Sequence, residues 1–334
     1  MKLPFVEKVK ARKEAAREKK AKEQFKRLYI ATHPIDFSNI TEFRNDAFPE
    51  AARRAGSTGQ TLSWRSNAKK RDREITAAQA EMCAKWVPDG YYIAPGLLSL
   101  EKLERTWRAY EAALAEGAIT VAPESLGPDD CYPGRRLDPH LQVAVRELQH
   151  DPKILEITDL LFGRKTLPFQ TIIGHKGSSQ NPHSDAIHMT HVPFGYLIAN
   201  WIAFEDVHPD SGPLEFYPRS HKLIPPLLSG ELSIPPLAFK NGTPVYSDLY
   251  EPQIRRHIEA MKLEPRFFLA KAGDGLFWHA NLIHGGSPRK DLRLSRKALV
   301  CHYFAGVVTY HDLSGNPSRL HRNGMYAPPV VDQP

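Results

Sequence analysis

The stretch GYLIANWIAF, residues 195–204, is the longest in a series of short apolar runs that occupies the second half of the chain. Turn-forming residues separate it from similar runs at 169–173, 214–217, 267–270, 275–278 and 298–304. Short apolar runs bounded by Gly, Pro, Asn, Asp and Ser are typical of strands in an all-β sandwich or barrel, and not of alternating strand–helix units. The sequence therefore predicts a mainly β core.

A helical pattern precedes this core. Thr76 and Gln79 have the spacing of a capping box, which predicts a helix start. Ser99 precedes a second predicted helix over 100–116, and apolar residues recur at helical spacing again within 140–162. The expected fold class is thus mainly β with flanking helices and an N-terminal helical region.

Composition divides the chain into segments. We predict a basic helical leader over 1–30, an irregular linker or wrapping segment over 31–74, and one large domain over 75–315. A proline-rich loop insertion, residues 223–265, interrupts the domain and contains a predicted helix at 251–261. Residues 316–334 form a C-terminal tail.

The basic charge of the chain lies in the leader. Residues 1–27 contain eleven Lys or Arg and four Glu, an excess that equals the formal net charge of +7. A nucleic-acid-binding protein carries its basic surface on the folded body, so no nucleic-acid partner is predicted. Peripheral contact of the leader with an anionic surface or a protein stays open; so does the oligomeric state.

Cysteine usage and hydropathy indicate the compartment. The three cysteines, Cys83, Cys131 and Cys301, are too widely spread for a disulfide framework or a CxxC metal site. The sequence shows neither a secretory signal pattern nor an apolar run long enough for a spanning helix. We therefore expect a cytoplasmic protein.

A potential metal-binding pair lies in Asn-Pro-His-Ser-Asp, residues 181–185. In an extended strand, His183 and Asp185 would project from the same face. A third nitrogen from elsewhere would complete the two-histidine, one-carboxylate ligand set of a non-haem Fe(II) oxygenase. The pair alone is weak evidence in a chain with 15 His and 38 acidic residues.

The order of further motifs makes the pattern specific. After the pair come Trp201, Gly212-Pro213-Leu214, Pro218-Arg219-Ser220-His221, Gly273-Asp274, His284 and Arg296. This order resembles the phytanoyl-CoA dioxygenase family of Fe(II)/2-oxoglutarate-dependent oxygenases over roughly residues 75–310. The resemblance implies a double-stranded β-helix (a cupin-like jelly roll) that binds Fe(II), with 2-oxoglutarate and O2 as cosubstrates.

The resemblance also implies roles for individual residues. His183, Asp185 and His284 would be the catalytic metal ligands. The cosubstrate-binding residues would be Arg296, Trp201, Thr171, Gln180 and Ser287. Arg296 would hold the distal carboxylate of 2-oxoglutarate, because a guanidinium pairs with a carboxylate through two hydrogen bonds.

Two positions depart from the family pattern. Arg219 replaces the glycine of Pro-Gly-Ser-His, which costs energy if that position requires a positive φ. Gly286 stands where relatives often have a serine, and Ser287 is the expected substitute. Because Asp185 is a carboxylate and leaves no ligand position for a halide, hydroxylation is favoured over halogenation.

The predicted function is hydroxylation of a small or lipid-like molecule, with release of succinate and CO2. One alternative is a cupin-like, metal-dependent hydrolase or isomerase. Another is a non-catalytic binding protein tethered by its basic leader. The substrate cannot be chosen from the motifs, because the predicted pocket loops lie outside them.

Overall fold

The computed structural model describes residues 75–118, 135–136, 143–162, 165–188, 197–224, 250–305, 319–320 and 326–327. The predicted leader and linker, and most of the predicted insertion, lie outside these residues. Within the described ranges the chain forms seven helices and eleven strands.

Four helices precede the main strands. They are α1 (Ala77–Asp89), α2 (Leu100–Ala115), α3 (Val143–Gln149) and α4 (Pro152–Phe162). The predicted capping box starts α1: the Thr76 hydroxyl accepts a hydrogen bond from the Gln79 amide at 3.2 Å, and the Gln79 side chain accepts one from the Thr76 amide at 2.9 Å. The predicted Ser99 cap starts α2. Both helix starts therefore follow from local sequence.

The strands are mostly short. They are β1 (Tyr91–Ala94), β2 (Arg135–Arg136), β3 (Thr166–Gly174), β4 (Leu197–Ala203), β5 (Leu214–Phe216), β6 (Arg266–Phe268), β7 (Gly275–His279), β8 (His284–Gly286), β9 (Ala298–Ala305), β10 (Arg319–Leu320) and β11 (Tyr326–Ala327). A six-stranded sheet has the order β1-β7-β4-β9-β3-β2, and a three-stranded sheet has the order β6-β5-β8. Strands β10 and β11 pair with each other. Every pairing is antiparallel.

The two faces of the six-stranded sheet bury different sets of side chains. Ile198 and Ile202 of β4 belong to the cluster that the helices cover. Ala199, Trp201 and Ala203 belong to a second cluster, which also contains residues of β5 and β6. Because both faces are covered, all seven residues of β4 are buried, which explains why this strand is continuously apolar instead of alternating. The result is a mixed architecture of helices and antiparallel sheets.

Three further helices connect the strands: α5 (Asp185–His188), α6 (Ser220–Leu223) and α7 (Glu251–Ala260). Helix α7 is the helix predicted within the insertion. Arg219, immediately before α6, has a φ of 72°, so this arginine does adopt the left-handed conformation that favours glycine. None of the helices in the described ranges has both the length and the apolar character needed to cross a bilayer.

Candidate metal centre

Three buried side chains converge at the edge of the three-stranded sheet. One ligand atom from each of His183, Asp185 and His284 lies within 4.8 Å of the other two. Each residue is 5% exposed. Two imidazoles and one carboxylate at this separation can hold one metal ion and leave coordination positions open.

The main chain fixes the separation of the two histidines. His183 and His284 form an antiparallel β-bridge, and each backbone amide donates to the carbonyl of the other residue at 2.9 Å. Asp185 is not in a strand, contrary to the extended geometry considered from the sequence. It begins α5, where the Ala186 amide donates to the carbonyl of Ala280 at 3.0 Å. The carboxylate therefore reaches the site from a helical turn.

The hydrogen bonds of the two imidazoles select the tautomer that a metal needs. Nδ1 of His183 lies 2.9 Å from the carbonyl oxygen of Asn181, and Nδ1 of His284 lies 2.9 Å from that of Leu282. Because a carbonyl oxygen only accepts, each Nδ1 carries the proton. Each Nε2 then presents its lone pair to the centre, an arrangement common among metal-binding histidines.

Asp185 has a different environment at each oxygen. Oδ2 accepts a hydrogen bond from Nε1 of Trp278 at 2.8 Å and lies 3.5 Å from Nε2 of His302, whereas Oδ1 lies 3.7 Å from Nε2 of His284. Burial alone raises the pKa of Asp185, but His284, His302 and His183 together lower it well below its usual range. The carboxylate is therefore ionised at neutral pH and can act as a metal ligand.

Arg296 lies in the same cavity as the three ligands. The residue is 6% exposed, and its guanidinium donates to the carbonyl of Gly212 at 2.7 Å. The guanidinium carbon is 5.8 Å from the ring centre of Trp201, within the range of a cation–π contact. The Arg296 amide also donates to the carbonyl of His175 at 2.7 Å. These contacts place a positive charge inside the cavity.

The cavity has a volume of about 100 Å³ and combines polar with apolar walls. Its lining comprises Ile172, Gly174, Lys176, Ser178, Gln180, His183, Asp185, Trp201, Leu214, Trp278, His284, Gly285, Arg296, Ala298, Val300 and His302. Its charge and polar groups suit a small anionic molecule beside a metal ion.

The cavity includes some of the predicted cosubstrate residues and not others. Arg296, Trp201 and Gln180 line it. Thr171 is buried but is not in the lining, because it alternates with Ile172 along β3. The hydroxyl of Ser287 donates to the carbonyl of Pro213 at 2.8 Å, and Ser287 is also outside the lining.

Sequence reasoning missed Trp278 and His302, whose side chains lie 2.8 Å and 3.5 Å from Oδ2 of Asp185. A signal for His302 was available. Residues 296, 298, 300 and 302 all line the cavity, so the alternation of side chains along β9 extends the face of Arg296 to His302. Alternation along β7 gives a similar signal for Trp278. The next residue, His279, packs beside Trp86 on one face of the sheet, so Trp278 points to the opposite face.

A buried set of two histidines and one carboxylate beside an antiparallel sheet is the ligand set typical of non-haem Fe(II) oxygenases. No curated protein sequence matches the chain significantly. A family model described as phytanoyl-CoA dioxygenase (PhyH) matches residues 86–298, which is more than half of the 334 residues. The chain belongs to this family, as its motifs predicted.

Solved structures show the same fold at low sequence identity. The epimerase SnoN from nogalamycin biosynthesis, in complex with Fe3+, α-ketoglutarate and nogalamycin RO, is 22% identical with a TM-score of 0.55, over 71% of this chain and 87% of that chain. EctD from S. alaskensis with 2-oxoglutarate and 5-hydroxyectoine is 17% identical with a TM-score of 0.52, over 74% and 83% respectively. The carbocyclase SnoK is 18% identical with a TM-score of 0.50, over 69% and 85%.

Proposed function

We propose that this protein is an Fe(II)- and 2-oxoglutarate-dependent dioxygenase that hydroxylates a small or lipid-like molecule. One observation carries the proposal. The buried ligands His183, Asp185 and His284 share a single cavity with the buried cation of Arg296. A metal-dependent hydrolase or isomerase needs the three metal ligands, but it does not need a buried cation to bind the distal carboxylate of 2-oxoglutarate. The double-stranded β-helix interpretation of the fold belongs to the same proposal.

The residues of the chain have distinct tasks in this function. His183 and His284 offer Nε2, and Asp185 offers an ionised oxygen, so the three would hold Fe(II) on one face. Arg296 would bind the distal carboxylate of 2-oxoglutarate through its guanidinium. Fe(II), 2-oxoglutarate and O2 together supply the oxidising chemistry, with succinate and CO2 as products.

Apolar side chains would protect that chemistry from water. Ile172, Leu214 and Val300 line the cavity beside the polar groups. Excluding water from a closed site prevents side reactions of reactive intermediates and strengthens the electrostatic interactions inside it. These side chains thus complement the tasks of the ligands and of Arg296.

The outcome of the reaction is part of the proposal. SnoN is named as an epimerase and SnoK as a carbocyclase, so the fold accommodates several oxidative outcomes. The carboxylate ligand Asp185 completes the metal-binding set and leaves no ligand position for a halide, so we favour hydroxylation over halogenation. A metabolite-library screen for 2-oxoglutarate-dependent succinate release would identify the substrate, and ¹⁸O₂ labelling of the product would then distinguish hydroxylation from epimerisation or ring closure.

Spectroscopy tests the metal centre without a substrate. Anaerobic Fe(II) with 2-oxoglutarate should give the weak visible charge-transfer band of this chromophore in the wild-type protein. His183→Ala and Asp185→Ala should abolish it. An unchanged band in either variant would exclude the assigned ligands, and turnover that needs no 2-oxoglutarate would favour the hydrolase or isomerase alternative.

We also propose that the protein works in the cytoplasm and that its basic leader, residues 1–30, serves localisation or tethering instead of chemistry. The excess positive charge of this segment supports the proposal. Deletion of residues 1–30 should leave turnover unchanged. Loss of turnover on deletion would assign the leader to the active domain.

A further inference from the structure

Helix α7 contacts the segment that carries two of the three metal ligands. Tyr250, immediately before α7, is fully buried. Its hydroxyl oxygen accepts a hydrogen bond from the backbone amide of Ser184 at 2.8 Å and lies 3.2 Å from the Ser184 hydroxyl. Ser184 separates His183 from Asp185, so its backbone conformation sets the relative directions of the two ligand side chains.

A second contact comes from Glu251, the first residue of the helix. The carboxylate of Glu251 accepts a hydrogen bond from the side-chain amide of Asn181 at 3.1 Å. The carbonyl oxygen of Asn181 is the acceptor that orients Nδ1 of His183. The first turn of α7 therefore contacts residues on both sides of His183.

An apolar cluster holds the helix in place. It contains Ile187, Tyr217, Ile224, Tyr250, Ile254 and Ile283. Ile283 directly precedes the third ligand, His284, and Ile187 follows Asp185 by two residues. The helix thus shares an apolar cluster with residues close in sequence to Asp185 and His284.

We propose that Tyr250 and Glu251 are positioning residues of the metal centre, which makes α7 a structural part of that centre. The proposal rests on the metal site of the proposed function. The phenol hydroxyl holds the backbone amide of Ser184, between His183 and Asp185. The Glu251 carboxylate holds the side chain of Asn181, the residue whose carbonyl orients His183. Direct hydrogen-bonding partners of metal ligands change metal affinity by about 10- to 100-fold when they are removed. Tyr250 and Glu251 act through Ser184 and Asn181, so we expect an effect at the lower end of this range.

The test is Co(II) binding to the full-length protein, followed by the visible absorption of the bound ion. Tyr250→Phe removes only the hydroxyl and keeps the ring in the apolar cluster. It should weaken Co(II) binding about 10-fold, the lower end of the range for direct partners. The matched control is Tyr303→Phe, because Tyr303 is equally buried and donates to the carbonyl of Gln149 at 2.9 Å, on the helix-covered face of the large sheet. The control should bind Co(II) like the wild type.

A second pair of variants tests Glu251 independently of the tyrosine. Glu251→Ala should weaken Co(II) binding. Glu251→Gln keeps an oxygen acceptor for the Asn181 side chain and should bind Co(II) like the wild type. If Tyr250→Phe does not fold, this pair still tests whether the start of α7 positions the metal ligands. Thermal unfolding of the metal-free proteins shows whether each variant is folded before titration.

Two results would overturn the inference while leaving the proposed function intact. One is wild-type Co(II) affinity in folded Tyr250→Phe and Glu251→Ala. The other is an equal loss of affinity in Tyr250→Phe and Tyr303→Phe, which would reflect general stability. A wild-type protein that binds no Co(II) would refute the metal site itself and both proposals with it.

Discussion

Gly286→Ala should destabilise the fold through the close approach of β8 to the segment that leads to His183. A Cβ at residue 286 would lie 2.5 Å from the Ser178 hydroxyl oxygen and 2.8 Å from the Ser179 backbone nitrogen. The φ of Gly286 is outside the left-handed region, so the expected effect is crowding and not backbone strain. A serine at this position would likewise not fit without movement.

The size of the effect follows from these distances. The Ser178 hydroxyl can rotate away, but the Ser179 nitrogen is backbone and lies 0.6 Å inside the 3.4 Å at which ordinary contact begins. Overpacking of this kind costs about 1–3 kcal/mol of unfolding free energy. For a domain of this size, each kcal/mol corresponds to a decrease in Tm of about 2–4 °C. Displacement of the segment before His183 should also weaken metal binding.

Thermal and urea unfolding of the metal-free protein measure the stability change, and Co(II) titration measures the effect on the site. The control is Gly96→Ala, where φ is +59° and a Cβ would meet nothing within 4 Å. That variant should lose about 1–2 kcal/mol through its left-handed conformation and keep its metal affinity. An unfolding free energy for Gly286→Ala within about 0.5 kcal/mol of wild type would refute the crowding argument.

Three further variants probe the site and its surroundings. Trp278→Phe removes the donor to Oδ2 of Asp185 and should weaken Fe(II) binding about 10- to 100-fold in anaerobic titration; unchanged affinity would contradict this role. Arg296→Lys should raise the KM for 2-oxoglutarate about 10- to 100-fold, the value of a charge-assisted hydrogen bond, with a smaller change in kcat; an unaltered KM would place the cosubstrate elsewhere. Burial and the neighbouring His279 hold the pKa of His221 well below its usual value, so the unfolded chain alone takes up this proton below about pH 6.5. The free energy of unfolding should therefore decrease as the pH drops below this value. Urea unfolding at pH 5.5 and 7.5 should show a smaller decrease for His221→Gln than for the wild type. An equal decrease in both proteins would contradict a neutral His221 in the folded state.

Local rules predicted much of the fold. The capping box at Thr76 and Gln79, the Ser99 cap and the apolar run of β4 each depend on neighbours in sequence, and each corresponds to an element of the structure. The motif order likewise identified His183 and His284, which lie about a hundred residues apart and form a direct bridge.

Contacts between distant segments could not be predicted in the same way. The hydroxyl of Tyr250 contacts Ser184, 66 residues away in sequence, and no periodic pattern in the sequence predicts this contact. The helical turn at Asp185 depends on the backbone of Ala280, which the local sequence does not contain. The position of His302 could have been predicted, because it lies on the same face as Arg296 when side chains alternate along the strand.

The bridge between His183 and His284 has a consequence for how such a site can change over time. The backbone separation of the two histidines is set by hydrogen bonds between peptide groups and does not depend on the side chains around them. Residues that line the cavity, such as Ile172 or Val300, can therefore be exchanged without altering the spacing of these ligands. A protein built in this way can acquire a new substrate while inheriting an unchanged reaction centre.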